Sequence, residues 1–272
     1  MHIGHGQPLS GLSSLSRSSR ALESLSNQAG SGSRITSAAS DPAGAAVVVD
    51  LASVRASERV ALRNASDGQS LLEVADGAAR GVTDALERMR ELAVQSASET
   101  LADDQRAGLQ QEFQQLRDEV DRISETTTFG GRTLTDGSAS SVAVQVGIDR
   151  DAASRIDVPL TDLGASALGL GGASVASSAD AGAALDAIDG ALEQTTRQRA
   201  ELGSSFRSLS SAADQGRNQE VGAAAAASRI QDADIAELAS KQASAQIQQH
   251  AGVSSMVQAR HIHRDAILGM LS

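Results

Sequence analysis

The chain has no cysteine, tryptophan or tyrosine, and only three phenylalanines, Phe113, Phe129 and Phe206. The missing cysteines exclude disulfides, thiolate metal sites and thiol nucleophiles together. Aromatic rings supply much of the buried area of a compact core, so 272 residues this poor in them do not predict a thick globular interior. Lysine is represented by Lys241 alone and the formal net charge is -11. That balance excludes a general nucleic-acid binder, whose phosphate contacts need clustered Lys and Arg. No stretch approaches the roughly 20 apolar residues that cross a bilayer, so no membrane insertion is expected. The opening residues Met1 to Leu15 have neither a basic start nor a continuous apolar run, so no cleavable signal peptide is read there.

What is present is Ala, Ser, Leu, Gln and Arg, a composition that suits long helices meeting along narrow seams. The arginines are scattered among acids at helical spacings, as on a solvated, salt-bridged surface. Leu12, Leu15, Leu22 and Leu25 make a sparse apolar stripe over residues Leu9 to Ala29. The stretch Gly30 to Ser37 is rich in breakers and reads as a linker. At Ser40-Asp41-Pro42 a helix start follows, Asp41 to cap free N–H groups and Pro42 at the first helical position. From there a 4-3 alternation runs through Val47, Leu51, Val54, Glu58, Ala61, Ala65, Gly68, Leu72, Ala75, Ala79, Val82, Leu86, Met89 and Ala93. Glu58 and Gly68 are its exceptions. Helix from Pro42 to Ser98 would extend roughly 80 Å.

A second helix beginning near Asp103 repeats the pattern in Leu109, Phe113, Leu116, Val120 and Ile123. The short link Glu99 to Ala102 makes an antiparallel pair the natural arrangement. The period then changes to two: Val142, Val144, Val146 and Ile148, then Ile156, Val158 and Leu160, predict a β-hairpin closed by Asp149 to Ala153. Gly164 to Ser178 reads as a connector with no core of its own. Helical spacing resumes in Leu185, Ile188, Leu192, Thr195, Arg199, Leu202, Phe206 and Leu209, and again in Ile230, Ile235, Leu238, Ile247, Met256, Ile267, Leu268 and Leu271. The first and last segments share a sparse stripe that neither can bury alone. Pairing the two ends within one molecule covers part of it, and neighbouring molecules would cover the rest.

Nothing in the spacing suggests catalysis. His261 and His263 are two apart, which on a helix turns them to different sides; His2 and His5 lie near a terminus, and His250 has no close ligand partner. Asp103, Asp104, Asp232 and Asp234 read as helix-start charges favoured by the dipole. There is no phosphate loop, nucleophile elbow or zincin motif. Asn64-Ala65-Ser66 matches a glycosylation acceptor, by chance if it lies mid-helix. The expectation is no enzyme, no metal and no cofactor.

Several blocks carry a family likeness. Ser31-Gly32-Ser33-Arg34-Ile35-Thr36-Ser37-Ala38 leading into Asp41-Pro42-Ala43-Gly44 resembles the flagellin N-terminal signature. Arg63 to Leu72 looks like its next block, and Leu86-Glu87-Arg88-Met89-Arg90-Glu91-Leu92-Ala93-Val94-Gln95 is close to the family's most recognisable stretch. Thr128-Phe129-Gly130-Gly131 with Leu134, then Gln145-Val146-Gly147, match the end of the helix pair and the hairpin. Ser228 to Asp234, and Gln258-Ala259-Arg260 to Leu268-Gly269-Met270-Leu271, fit the C-terminal signature.

The expected fold is mainly α: an elongated helical bundle or coiled coil with a small β-hairpin, a two-domain rod formed by the N- and C-terminal segments together. The resemblance implies an inner-core helix and linker over 1–40, an outer helical domain over 41–180 completed by its C-terminal helix over 181–222, and a C-terminal inner-core helix over 223–272. It further implies a homopolymeric, extracellular filament subunit used for motility, exported without a cleavable signal. An export chaperone, a filament cap and hook-junction proteins would be its partners. Subunit packing is expected at Leu12, Leu15, Leu22, Leu25, Ile247, Met256, Ile267, Leu268 and Leu271. Arg88, Leu92 and Glu112 match positions through which the Toll-like flagellin receptor detects several flagellins, with Glu87 replacing a usual Gln. Between hairpin and C-terminal helix only Leu163 to Asp180 stands where many flagellins insert outer domains, so a minimal subunit is expected. Asn27-Gln28-Ala29-Gly30 and His2 to Pro8 depart from the family pattern. The alternatives are a hook–filament junction protein or a non-polymerising coiled-coil adaptor.

Overall fold

The computed structural model describes the backbone of residues 7–271 and the side chains of residues 13–262 and 264. Its elements are α1 (Gln7–Ser31), α2 (Pro42–Ala97), α3 (Asp103–Thr126), β1 (Thr128–Phe129), β2 (Arg132–Thr133), β3 (Ser141–Gln145), β4 (Arg155–Pro159), α4 (Ser178–Gln231) and α5 (Ile235–Leu271). The fold is mainly α with small antiparallel hairpins. Two compact units are present: Arg55–Glu220, and Met1–Val54 together with Val221–Ser272. The division falls within α2 and α4, at 54/55 and 220/221, whereas the resemblance implies boundaries at 40/41 and 222/223.

In the unit Arg55–Glu220 the 4-3 alternation of α2 is buried at every position from Glu58 to Ala93, both exceptions included. Gly68 is there for closeness: a Cβ at this position would stand 3.0 Å from Leu209 and 3.1 Å from Val144. Phe113 and Val120 of α3 pack into the same core, with Leu109, Leu116 and Ile123 half-buried around them. On α4 the buried line is Ala181, Ala184, Ile188, Ala191, Thr195, Gln198, Leu202, Ser205 and Leu209. Phe206, expected on that line, lies beside it and is exposed. Small residues dominate the α4 seam, so the helices approach closely without aromatic bulk.

The stretch from Gly164 to Ser178 corrects the expectation of a coreless connector. Leu168, Leu170 and Val175 are buried with Leu163 and Ala165 in the core of the helix pair. Its backbone is satisfied by side chains of α3: the Ala165 N–H donates to Asp121 Oδ1 at 2.7 Å, and the Val175 N–H to Gln110 Oε1 at 2.6 Å. Gly and Ser are frequent there because the chain turns repeatedly, and the few leucines between them supply the burial. The α2–α3 corner is closed by Arg106, a buried cation at the carbonyl end of α2. It donates to the Ser96 carbonyl, to Ser98 O at 2.9 Å and to Leu101 O at 3.3 Å.

The predicted hairpin forms as β3 and β4, with Val144 opposite Ile156 and Val142 opposite Val158. It is shorter than the alternation suggested: Val146 and Ile148 belong to a longer loop that includes a 3-10 turn, Ala152–Ser154, and Leu160 follows the strand. A second, two-residue hairpin was not anticipated. β1 and β2 pair around Gly130 and Gly131, whose φ values of 58° and 82° fit a two-residue turn requiring positive φ at both positions. Asn64 of the formal glycosylation motif lies mid-helix and donates from Nδ2 to the Gln145 carbonyl at 3.1 Å.

Phe113 is fully buried and is the largest side chain in the helix-pair core. Replacing it with alanine should lower the unfolding free energy of this unit by about 3–5 kcal/mol, read from urea denaturation curves. A loss under about 1 kcal/mol would show that the core is not packed around this ring.

Candidate assembly and recognition surfaces

In the unit formed by the two ends, α1 and α5 pair antiparallel. The Ser18 hydroxyl donates to the Ala245 carbonyl at 3.3 Å, and Gln249 Nε2 donates to Ser19 Oγ at 3.4 Å. On α1, Leu15, Ser18, Leu22, Leu25 and Gln28 are half-buried and their neighbours exposed. Facing them on α5 are Leu238 and Ala245, buried, and Gln242, Gln249, Gly252 and Met256, half-buried. These six repeat with 4-3 spacing, the period of a coiled-coil seam. The apolar pattern alone hid that seam because glutamine and glycine occupy half of it. The α1 side carries Ser18 and Ala21 and α5 carries Gly252, and a cavity of about 370 Å³ remains along the pair.

Other described apolar residues of α5 lie elsewhere on the helix. Ile247 is nine residues, about two and a half turns, beyond Leu238 and so opposite the seam, 70% exposed. Ile235, Val253, Val257 and Ile262 are exposed as well. Of the residues expected to pack subunits, Leu15, Leu22, Leu25 and Met256 are thus on the α1–α5 seam and Ile247 is on the free side. The side chains of Leu12, Ile267, Leu268 and Leu271 lie outside the described residues.

The stretch read as a linker is tied down. α1 runs through Ser31 and ends at Gly32, whose φ of 68° is the left-handed conformation common after a helix. Ser33 then bridges Asp232, and the Arg34 N–H donates to Gln231 O at 2.6 Å. Arg34 also donates through Nε and Nη2 to Ile230 O at 3.1 and 2.7 Å, and pairs with Asp41 at 3.4 Å. Asp41 caps α2, its Oδ1 accepting from the Gly44 N–H at 2.9 Å. Asp234 starts α5 in the same way, accepting from Ala236 and Glu237 N–H at 2.9 and 3.1 Å. The signature residues around Arg34 and Asp232 are therefore one hydrogen-bonded knot between chain segments nearly 200 positions apart.

A second surface lies on α2 and α3. Arg88 donates to Glu112 Oε1 from Nε at 3.0 Å and from Nη2 at 2.8 Å, and to Glu91 Oε2 from Nη1 at 2.8 Å. The bonds to Glu112 and then Glu91 raise the guanidinium pKa above its ordinary value. Arg88 and Glu112 are brought together at the surface; Leu92 is not, being 1% exposed in the core with Met89 and Phe113. On the side facing α4, Asp76 joins Arg80 and Arg199, the latter at 2.9 Å. Burial works to raise the Asp76 pKa, but the hydrogen bonds from Arg199 and Arg80 hold the carboxyl below the ordinary value.

A model of the bacterial flagellin N-terminal helical region matches residues 7–140, and one of the bacterial flagellin C-terminal helical region matches residues 185–267. The flagellin of Halalkalibacterium halodurans is 37% identical over 223 residues, 82% of this chain and 80% of that protein. The B-type flagellin of Pseudomonas aeruginosa is 43% identical over 155 residues, 57% of this chain but only 31% of that longer protein. Among solved structures, Bacillus cereus flagellin superimposes with a TM-score of 0.51 at 28% identity, covering 57% of this chain and 88% of that one.

Leu22 sits mid-seam. Its replacement by glutamine should destabilise the α1–α5 pair by about 1–2 kcal/mol, given its half-buried state. Amide exchange in α5 should accelerate while exchange in α3 stays unchanged; equal acceleration in both would contradict separate units.

Proposed function

The chain belongs to the bacterial flagellin family and is a structural subunit of the flagellar filament, and from that premise we propose that its two end segments form the filament's inner, channel-lining layer. Residues 1–40 and 223–272 make up this inner core, and residues 41–222 the outer helical domain. The observation that carries the proposal is the distribution of apolar residues around α5: one face meets α1, while Ile247, Val253, Val257 and Ile262 point elsewhere and are exposed. A helix apolar on more than one side is stable only when more than one side is covered. Copies of the same α1–α5 pair, present at high local concentration in a polymer, supply that cover.

The same exposed side chains would make the free monomer prone to association before assembly. This supports an export chaperone that holds the C-terminal segment until the subunit has left the cell, and a cap that guides folding at the filament tip. Hook-junction proteins would meet the same α1–α5 surface at the filament base. Only residues 160–177 lie between β4 and α4, which fits a subunit without inserted outer domains. If the Toll-like flagellin receptor binds this protein, Arg88 and Glu112 present the contacts, and Leu92 acts from beneath by fixing the α2 backbone.

Purified monomer incubated with filament seeds or a precipitant should grow long tubes visible by electron microscopy. Removing residues after Val253 should abolish growth while leaving the helical signal of α2, α3 and α4 in place. Discrete small oligomers from the intact chain would overturn the proposed layer, as would global unfolding on truncation.

A further inference from the structure

Glu58 interrupts an apolar alternation, yet it is only 2% exposed. Its carboxylate borders a cavity of about 300 Å³ lined by Gly147, Asp149, Asp151, Gln215 and Gly216. α4 comes close because residue 216 is glycine: a Cβ there would lie 3.1 Å from Glu58 Oε2. Among the described residues no hydrogen bond or ion pair reaches the Glu58 carboxylate.

The charged groups around it come from three elements. On α2, Arg59 gives its Nε to Glu220 at 2.6 Å, and Arg55, one turn before Glu58, has a buried Nε with no hydrogen-bond partner. From the loop between β3 and β4 come Asp149 and Asp151, with Arg150 beside them lining a separate cavity. From α4 come Glu220 and the neutral Gln215 and Gln219, while Asp214 and Arg217 pair with each other and are exposed. No cation is committed to Glu58, and two of its neighbours carry its own charge.

A largely covered carboxyl with no partner and two acids beside it favours its neutral form more than a free carboxyl does. We propose that Glu58 is a proton-binding site that governs the seating of the β3–β4 loop: protonated, it lets the loop pack on α2 and α4, and its ionisation loosens the loop. Burial first, then Asp149 and Glu220, push the Glu58 pKa above the ordinary carboxylate value. A raised folded pKa means that the folded state binds the proton more tightly than the unfolded state. The contribution is fully present below the unfolded pKa and is lost as pH rises through the folded pKa. Asp76 has the opposite sign, so the two acids of this unit respond to pH in opposite directions.

The test uses the full-length monomer, with amide exchange of residues 146–154 measured from pH 4 to 8 and corrected for intrinsic rates. In the wild type, loop protection should fall with rising pH, about tenfold for each unit by which the folded pKa exceeds the unfolded one. In E58Q, which keeps the shape and removes the titration, protection should stay constant over that range. D149N removes one like charge and leaves Glu58 in place; it should move the wild-type transition to lower pH. Carboxyl NMR, with the Glu58 resonance identified by its loss in E58Q, should show titration above the ordinary glutamate range. E58Q tracking the wild type, D149N leaving the transition unmoved, or Glu58 titrating at its ordinary value would each overturn the proposal.

Discussion

An isolated amphipathic helix gains most of its stability from what packs on its apolar stripe, and α5 carries more apolar surface than α1 covers. Leu238 and Ala245 are buried against α1, whereas Ile247 and Ile262 are each 70% exposed. The seam itself is thin, with glutamines, a glycine and Ser18 sharing it with leucines. Both features leave apolar surface of the paired ends uncovered within one chain, and the proposed inner layer covers it with other copies. On the proposed reading, assembly follows from this unsatisfied burial.

The unit Arg55–Glu220 obeys the opposite rule. Its alternation on α2 is covered at every position from Glu58 onward, by α3, α4, the hairpin and the packed stretch after it. With only Phe113 and Phe129 among its covered aromatics, Phe206 being exposed, it closes its core by close approach, through Gly68, Gly216 and the alanines of α4. Polar side chains complete what small residues leave open. Arg106 takes up the carbonyls at the end of α2, while Gln110 and Asp121 hold the backbone of residues 165–175. Such a unit closes its own core within the chain.

Much of this was legible in the sequence, for identifiable reasons. Helical spacing located α2 to within a residue, because Asp41-Pro42 punctuates its start with specific backbone chemistry, and it located the start of α3 near Asp103. The family likeness in residues 31–44, 86–95 and 228–234 pointed to the right family, and the structure shows why the first and last of these travel together: Arg34 and the carbonyls of Ile230 and Gln231 form one knot. What was not legible depended on tertiary partners. Gly164 to Ser178 looked like a bare connector because its leucines are too widely spaced to show a period. The α5 seam was hidden by Gln242, Gln249 and Gly252. Leu92 matched a recognition motif by position, but helix geometry turns it into the core, and Glu58 looked like a fault in a pattern when it is a buried acid facing two others.

The central claim is that the end helices are completed by neighbouring copies. Amide hydrogen exchange of α1 and α5, measured in the monomer and in the assembled filament, tests it most directly. The account predicts rapid exchange in both helices of the monomer and strong protection in the filament, with α2 and α3 protected in both states. Equal protection of α1 and α5 before and after assembly would contradict it.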